Sequence, residues 1–280
     1  MTDQSFIKMH GLGNDFVVID DRAGTLAIGE GEARAIGNRR TGVGFDQLLI
    51  LETPTTDRAD VFMRIRNPDG SEAQACGNGT RCVASLVMNE MKRDQVNIET
   101  VAGILASHRQ ADGRVSVDMG PAGLSWQEIP VASELDTLHM GIGADGISDP
   151  VGVNMGNPHA VFFVDDVEAV DLETFGPKLE THAMFPERAN IEVVQAIGPD
   201  RLRMRVWERA AGITQACGSG ACAVAVAAHR RKLTGRKVEV VLDGGPLDIE
   251  WLDNGRVLMT GPVATSYQGV FDPSLFAARV

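Results

Sequence analysis

The chain has 280 residues, a formal net charge of -12, 44% hydrophobic residues and 23% charged residues. That length fits one large domain or two of ordinary size, with enough apolar material for two cores. The acidity, with no basic stripe to offset it, argues against nucleic acid or an anionic membrane as a partner. Residues 1–11 contain an acid and no apolar core, so no secretory leader is expected. The longest wholly apolar run, 221–228, is too short to cross a bilayer. Four cysteines in such a chain point to a reducing, cytoplasmic setting in which thiols serve chemistry or packing.

In chain order, short strands are expected over 16–19, 48–51, 61–65 and 115–119, then over 161–164, 202–206, 238–242 and 247–251. Gly, Pro, Asn and Asp punctuate them. Helices are expected over 30–39, 80–92, 171–182 and 220–232. The second and fourth helices follow Gln74-Ala75-Cys76-Gly77-Asn78-Gly79 and Gln215-Ala216-Cys217-Gly218-Ser219-Gly220, one motif repeated at an offset of 141 residues. Both helices end in cations, as the helix dipole favours. The fourth is apolar on every side, so it should be buried.

Other anchors recur at nearly the same offset. Gly13-Asn14 corresponds to Gly156-Asn157, Gln47 to Asn190, Arg64-Ile65-Arg66-Asn67 to Arg205-Val206-Trp207-Glu208, and Gly113-Arg114-Val115 to Gly255-Arg256-Val257. The repeat implies an α+β fold of two pseudo-symmetric domains, each a mostly antiparallel sheet wrapped around a central helix. The domains are expected at 1–121, carrying Cys76, and 122–262, carrying Cys217. Residues 263–280 fall outside the repeat and should cross back to the first half or form a subunit contact.

A cysteine just before a Gly-rich turn and a helix is well placed to be a thiolate, because the unpaired N–H groups and positive helix end stabilise the anion. The same N–H groups can hold a carboxylate, and glycine lets the backbone approach it. Two such helix ends acting on one substrate would bind its carboxylate and put a sulfur on either side of its α-carbon. Inverting a carbon centre by two-base proton transfer needs that arrangement. A lone Cys-Gly-x-Gly would more often be a packed thiol; two copies in equivalent loops argue for chemistry. Cys82 and Cys222 sit inside helices, do not align under the repeat, and are read as core. Neither Cys-x5-Cys nor Cys-x4-Cys has zinc spacing, and no P-loop, dinucleotide fingerprint or HExxH occurs, so neither metal nor cofactor is expected.

Asn14 with Asn157, Gln47 with Asn190, and Asn67 with Glu208 are matched polar positions. Singly each reads as a turn or strand-end residue; together they suggest the lining of a cleft. Symmetry breaks where Glu208-Arg209 stands opposite Asn67-Pro68. There the arginine can clamp a second carboxylate and the glutamate can accept from an ammonium, with a surface ion pair as the plainer reading. His159 aligns with Phe16, and either tunes a thiol or caps a turn. The other five histidines carry no usable signal. A two-lobed amino-acid binding protein or a thiol redox protein would share some of these features, but neither requires paired cysteines in matched loops and a lopsided polar lining together.

The segments FIKMHGLGNDF (6–16), GVGFDQ (42–47), NPDGSE (67–72), CGNGTRC (76–82), NMGNPH (154–159), WER (207–209) and TQACGSG (214–220) resemble the diaminopimelate epimerase family from end to end. The resemblance implies an epimerase independent of pyridoxal phosphate that interconverts LL- and meso-diaminopimelate for lysine and peptidoglycan precursor synthesis. It implies Cys76 and Cys217 as the bases, with Gly77, Asn78, Gly218 and Ser219 on the reacting carboxylate. Asn14, Gln47, Asn67, Asn157, Asn190, Glu208 and Arg209 would bind substrate, and His159 and Glu208 would assist the thiols. It also implies a homodimer with Tyr267 at the contact. One departure stands out: Ala210 follows the Glu-Arg pair, where the family usually has glycine. A positive φ there would strain an alanine. Proline racemase and hydroxyproline epimerase are the alternative within two-thiol enzymes; Arg209 and the amide-rich lining favour a substrate with a second charged head.

Overall fold

The structure, a computed structural model, describes residues 4–26, 28–144, 146–272 and 275. The chain divides into two units, residues 1–117 with 261–280, and residues 118–260. The first contains β1 (Ser5–Gly11), β2 (Asn14–Asp20), α1 (Glu30–Gly37), β3 (Gln47–Glu52), β4 (Val61–Arg66), β5 (Glu72–Ala73), α2 (Gly77–Met91), β6 (Gln95–Thr100) and β7 (Gly103–Arg109), and the chain leaves it along β8 (Val115–Pro121). The second contains β9 (Gly143–Ala144), β10 (Ile147–Ser148), β11 (Val151–Asn154), β12 (Pro158–Phe163), α3 (Leu172–Glu180), β13 (Asn190–Gly198), β14 (Arg201–Glu208), β15 (Gly212–Ile213), α4 (Gly218–Arg230), β16 (Lys237–Leu242) and β17 (Gly245–Trp251), and ends along β18 (Arg256–Gly261).

One pairing scheme builds both units. In the first, β1–β2 is antiparallel, β2–β3 parallel, β3–β4 antiparallel, β4–β6 parallel, and β6–β7–β8 antiparallel. In the second, β11–β12, β12–β13, β13–β14, β14–β16 and β16–β17–β18 follow the same alternation. Even the registers agree, since Phe16 pairs with Gln47 and His159 with Asn190. The sequence repeat is therefore a repeat of topology.

Strand alternation sets which helix each face receives. Val17, Ile19, Leu48 and Ile50 pack with Ala33 and Ile36 of α1. Leu49, one residue out of phase, touches the first turn of α2 on the opposite face. In the second unit Ala160, Phe162 and Ile191 pack with Phe175 and Leu179 of α3, while Glu192 faces α4. α2 is thus enclosed by β1, β2, β4, β6 and β7, and α4 by β11 to β14, β16 and β17. Each buried valine of α4, such as Val224 or Val226, contributes about 1.5–3 kcal/mol through burial.

The central helices begin earlier than the sequence suggests. α2 starts at Gly77 and α4 at Gly218, immediately after the cysteines, rather than at 80 and 220. The glycines look like loop residues but form the first helical turn, because each preceding cysteine supplies an N-cap. Strands β1, β6, β7, β11, β13 and β18 lie outside the expected ranges; most of them mix polar with apolar residues and lack the longer apolar runs of their neighbours. From segment 263–280, β19 (Ala264–Val270) lies antiparallel on β1, with Tyr267 opposite Lys8; residues 273–274 and 276–280 lie outside the described residues.

Two glycines separate space from constraint. A Cβ on Gly31 of α1 meets nothing within 4 Å, so Gly31→Ala should stabilise the protein by about 0.5–1 kcal/mol. A Cβ on Gly176 of α3 would lie 2.4 Å from the Trp207 indole, so Gly176→Ala should cost about 1–3 kcal/mol. Thermal unfolding of both variants checks this; a loss of stability in Gly31→Ala, or none in Gly176→Ala, would contradict the packing.

Candidate active site

Each motif cysteine is the N-cap of a buried helix, in extended backbone conformation. Cys76 has φ -149° and its Sγ accepts from the Gly79 N–H at 3.3 Å. Cys217 has φ -107° and accepts from the Gly220 N–H at 3.4 Å. Sulfur so placed shares the amide-rich helix end with whatever anion binds there. All four cysteines are thiols; Cys76 is half-buried and the other three are buried. Burial pushes the Cys82 thiol up to about 12, as befits a core residue.

In the first unit the expected polar residues form two short networks. Asn78 Nδ2 donates to Asn14 Oδ1 at 3.2 Å, and Asn14 Nδ2 donates to Asp46 Oδ2 at 2.9 Å. Asn78, the second residue of α2, is thereby tied to the start of β2. Separately, Gln47 Nε2 donates to Asn67 Oδ1 at 3.2 Å, and Asn67 Nδ2 to Ser71 Oγ at 3.0 Å. Asp46 was not singled out from the sequence, yet it also accepts from the Asp15 N–H at 3.0 Å and from Arg39 at 2.7 Å. Burial alone would raise the neighbouring Asp15 carboxyl, but bonds from Arg39 and Lys8 outweigh it and hold it low.

The second unit concentrates acids around its cysteine. Glu208, at the end of β14, accepts from the Thr214 hydroxyl and from Cys217. Burial raises the Glu208 carboxyl, and the negative charge of Glu192 adds to that, against the lowering effect of the Thr214 and Cys217 bonds. Burial likewise pushes the Cys217 thiol well above the ordinary thiol range, with the carboxylates of Glu208 and Glu192 acting in the same direction. The helix end and the Ser219 hydroxyl, 3.6 Å away, favour the thiolate but are outweighed. At Cys217 low dielectric and two nearby acids thus outweigh the helix end and raise the thiol.

His159 on β12 is wholly buried, with Nδ1 2.6 Å from Glu192 Oε1 and Nε2 2.8 Å from Asn157 Oδ1. Asn190 Nδ2 donates to the Pro158 carbonyl at 3.0 Å while its Oδ1 accepts from the Arg209 N–H at 2.9 Å. Glu208 and Arg209 are not a surface pair: Glu208 turns toward Thr214, whereas exposed Arg209 donates to the Glu187 carbonyl at 3.1 Å. Tyr267 on β19 is 49% exposed, its ring edge-on to Phe6 with centroids 6.0 Å apart. Among the described residues, no group of three or more His, Cys, Asp or Glu side chains could hold a metal ion, and no helix is long and apolar enough to cross a membrane.

The duplicated α+β fold is shared with several solved structures. A hydroxyproline epimerase from Agrobacterium vitis, with bound trans-4-hydroxy-L-proline, superposes with TM-score 0.69 at 17% identity, over 98% of this chain and 94% of that one. A PhzF-family phenazine biosynthesis protein from Bacillus anthracis gives 0.67 at 15%, over 97% and 100%. At such identities the likeness is one of fold. Sequence is more specific: residues 6–125 and 151–266 match the diaminopimelate epimerase family. The diaminopimelate epimerase of Rhodospirillum centenum is 60% identical over 270 residues, 96% of this chain and 93% of that protein. That of Acidiphilium cryptum is 50% identical over 272 residues, 97% and 98%. The chain belongs to the diaminopimelate epimerase family.

Its departure from the usual family glycine has the expected consequence, since Ala210 has φ 62°. The loop is held there by Glu180, which sequence reasoning missed. Trp207 Nε1 donates to Glu180 Oε2 at 2.7 Å and the Ala210 N–H to Oε1 at 3.1 Å. Burial would raise Glu180, but these donors and Arg188 keep it low. Ala210→Gly should stabilise the protein by about 0.5–1 kcal/mol, the relief of left-handed strain exceeding the added chain entropy. Chemical denaturation checks this, and unchanged or lower stability would show that the loop carries no strain.

Proposed function

We propose that this chain is a diaminopimelate epimerase, interconverting LL- and meso-diaminopimelate by proton transfer between two cysteines, without pyridoxal phosphate, in lysine and peptidoglycan precursor synthesis. The observation that carries the reading is the twin N-cap: two cysteines, one per repeat, each bonded to the amide three residues on at the start of a buried helix. Family membership supplies the substrate.

One sulfur, as thiolate, takes the α-proton. The C–H bond breaks, an S–H bond forms, and the electron pair moves into the carboxylate. The N–H groups at Gly77, Asn78, Gly218 and Ser219 stabilise that charge where it develops. The second sulfur then gives its proton to the opposite face of the carbon, leaving the two cysteines with exchanged roles. With its thiol pushed up by burial and by the neighbouring acids, Cys217 is the donor in the resting enzyme and Cys76 the acceptor. Glu208, bonded to Cys217, takes up or returns that proton, and His159 assists. Asn14, Gln47, Asn67, Asn157, Asn190, Glu208 and Arg209 bind the substrate, with Arg209 on the distal carboxylate. The enzyme works in the cytoplasm as a homodimer with Tyr267 at the contact.

In deuterated water, LL-diaminopimelate should gain deuterium at one α-carbon as it epimerises. Cys76→Ala and Cys217→Ala should each lower turnover by at least about 10³-fold. Exchange on proline with none on diaminopimelate, or full turnover by either variant, would overturn the reading. The thiol state of Cys217 is checked by alkylation: with its thiol raised, modification by iodoacetamide should stay slow at pH 7 and accelerate only above the ordinary thiol range. Rapid modification of Cys217 at pH 7 would contradict the resting assignment.

A further inference from the structure

Glu192 lies in the middle of β13 with apolar neighbours on both sides, and its carboxylate is as buried as the histidine it touches. Charge is retained in such a place only when something requires it, since an apolar pair of similar volume is generally no less stable. The register explains the contact: His159 pairs with Asn190 across the parallel β12–β13 ladder, and Glu192, two residues on, shares the face of Asn190. Oε1 takes the Nδ1 side of the ring. Oε2 is buried with no hydrogen-bond partner. The same carboxylate supports the first turn of α4: a Cβ on Gly220 would lie 2.9 Å from Glu192 Oε1 and 3.2 Å from Cys217 Sγ, so acid and sulfur are within about 6 Å of each other. A side chain at Gly220 would press on both.

We propose that Glu192 is a positioning residue for the epimerisation, fixing the His159 ring by accepting from Nδ1–H, so that Nε2, which when protonated donates to Asn157 Oδ1, is the nitrogen that exchanges protons. The inference rests on the reading of the site as a two-cysteine epimerase and adds to it the group that orients its histidine. A carboxylate behind an imidazole sets tautomer and ring orientation together. Here it does so from the strand next to the histidine, beneath the helix that carries Cys217, so the ring, the acid and the cysteine cap form one packed unit.

A double-mutant cycle with Glu192→Gln and His159→Gln tests this, using epimerisation of LL-diaminopimelate and nitrogen-15 spectra of the histidine rings. Glu192→Gln should lower kcat about 100-fold, with KM within about threefold. If it acts through His159, the double variant should be no slower than His159→Gln alone. The wild-type spectrum should show His159 protonated on Nδ1, and Glu192→Gln should yield a tautomer mixture. A kcat within twofold of wild type in Glu192→Gln, a double variant as slow as the product of the single effects, or a wild-type ring protonated on Nε2 alone would overturn the proposal. Should Glu192→Gln fail to fold, Glu192→Asp, which keeps the charge but shortens the arm, serves in the cycle, and the wild-type spectrum still decides. Loss of all α-proton exchange in the wild type would instead strike the functional reading, leaving the tautomer result to judge Glu192.

Discussion

The N-cap bond from a helix amide to a cysteine sulfur is the interaction on which the rest of the structure depends. It fixes where α2 and α4 begin, holds each sulfur at the exit of its helix, and leaves the first N–H groups pointing the same way as the sulfur. An alanine at Gly79 would meet Leu49 at 3.1 Å, and one at Gly220 would meet Glu192 at 2.9 Å. The glycines thus let each helix start lie close against side chains of the sheet beneath, and the sheet in turn is the repeat's common pairing scheme. Motif, helix start and strand topology are one constraint seen at three scales.

Within that shared frame the two cysteines have different surroundings. The polar residues of the first unit are chiefly amides linked to one another, Asn14 to Asn78 and Gln47 to Asn67. In the second unit Glu208 stands where Asn67 does and His159 where Phe16 does, and Glu192 joins them under the helix. At Cys217 burial and the two neighbouring acids raise the thiol against the opposing pull of the helix end. An enzyme that must start each cycle with one thiolate and one thiol gains from that inequality, because identical sites would have no preferred proton.

Much of this was legible in the sequence because duplication doubles every signal. A single Cys-Gly-x-Gly is ambiguous, but two at one offset, flanked by matched anchors, gave the repeated sheet-and-helix plan and the cysteines' place at the helix starts. What escaped has a common physical origin. Glu180, Glu192 and Asp46 act through tertiary hydrogen bonds to residues far along the chain, and no local pattern announces them. Glu192 left the strongest trace, an acid inside the apolar strand Ile191-Glu192-Val193-Val194, where a charge needs a buried partner. The central helices start two or three residues before the positions expected from the sequence, because each cysteine sulfur caps a first turn made of glycines and polar residues. Strands such as β1 escaped because their exposed and buried positions do not alternate cleanly.

The most direct measurement is a crystal structure with a non-reacting diaminopimelate analogue bound. Sγ of Cys76 and Sγ of Cys217 are expected on opposite faces of one α-carbon, with its carboxylate on the first N–H groups of α2 and α4 and the distal amino-acid end toward Arg209. A carboxylate held away from those helix starts, or a bound α-carbon approached by only one of the two sulfurs, would contradict the two-cysteine mechanism.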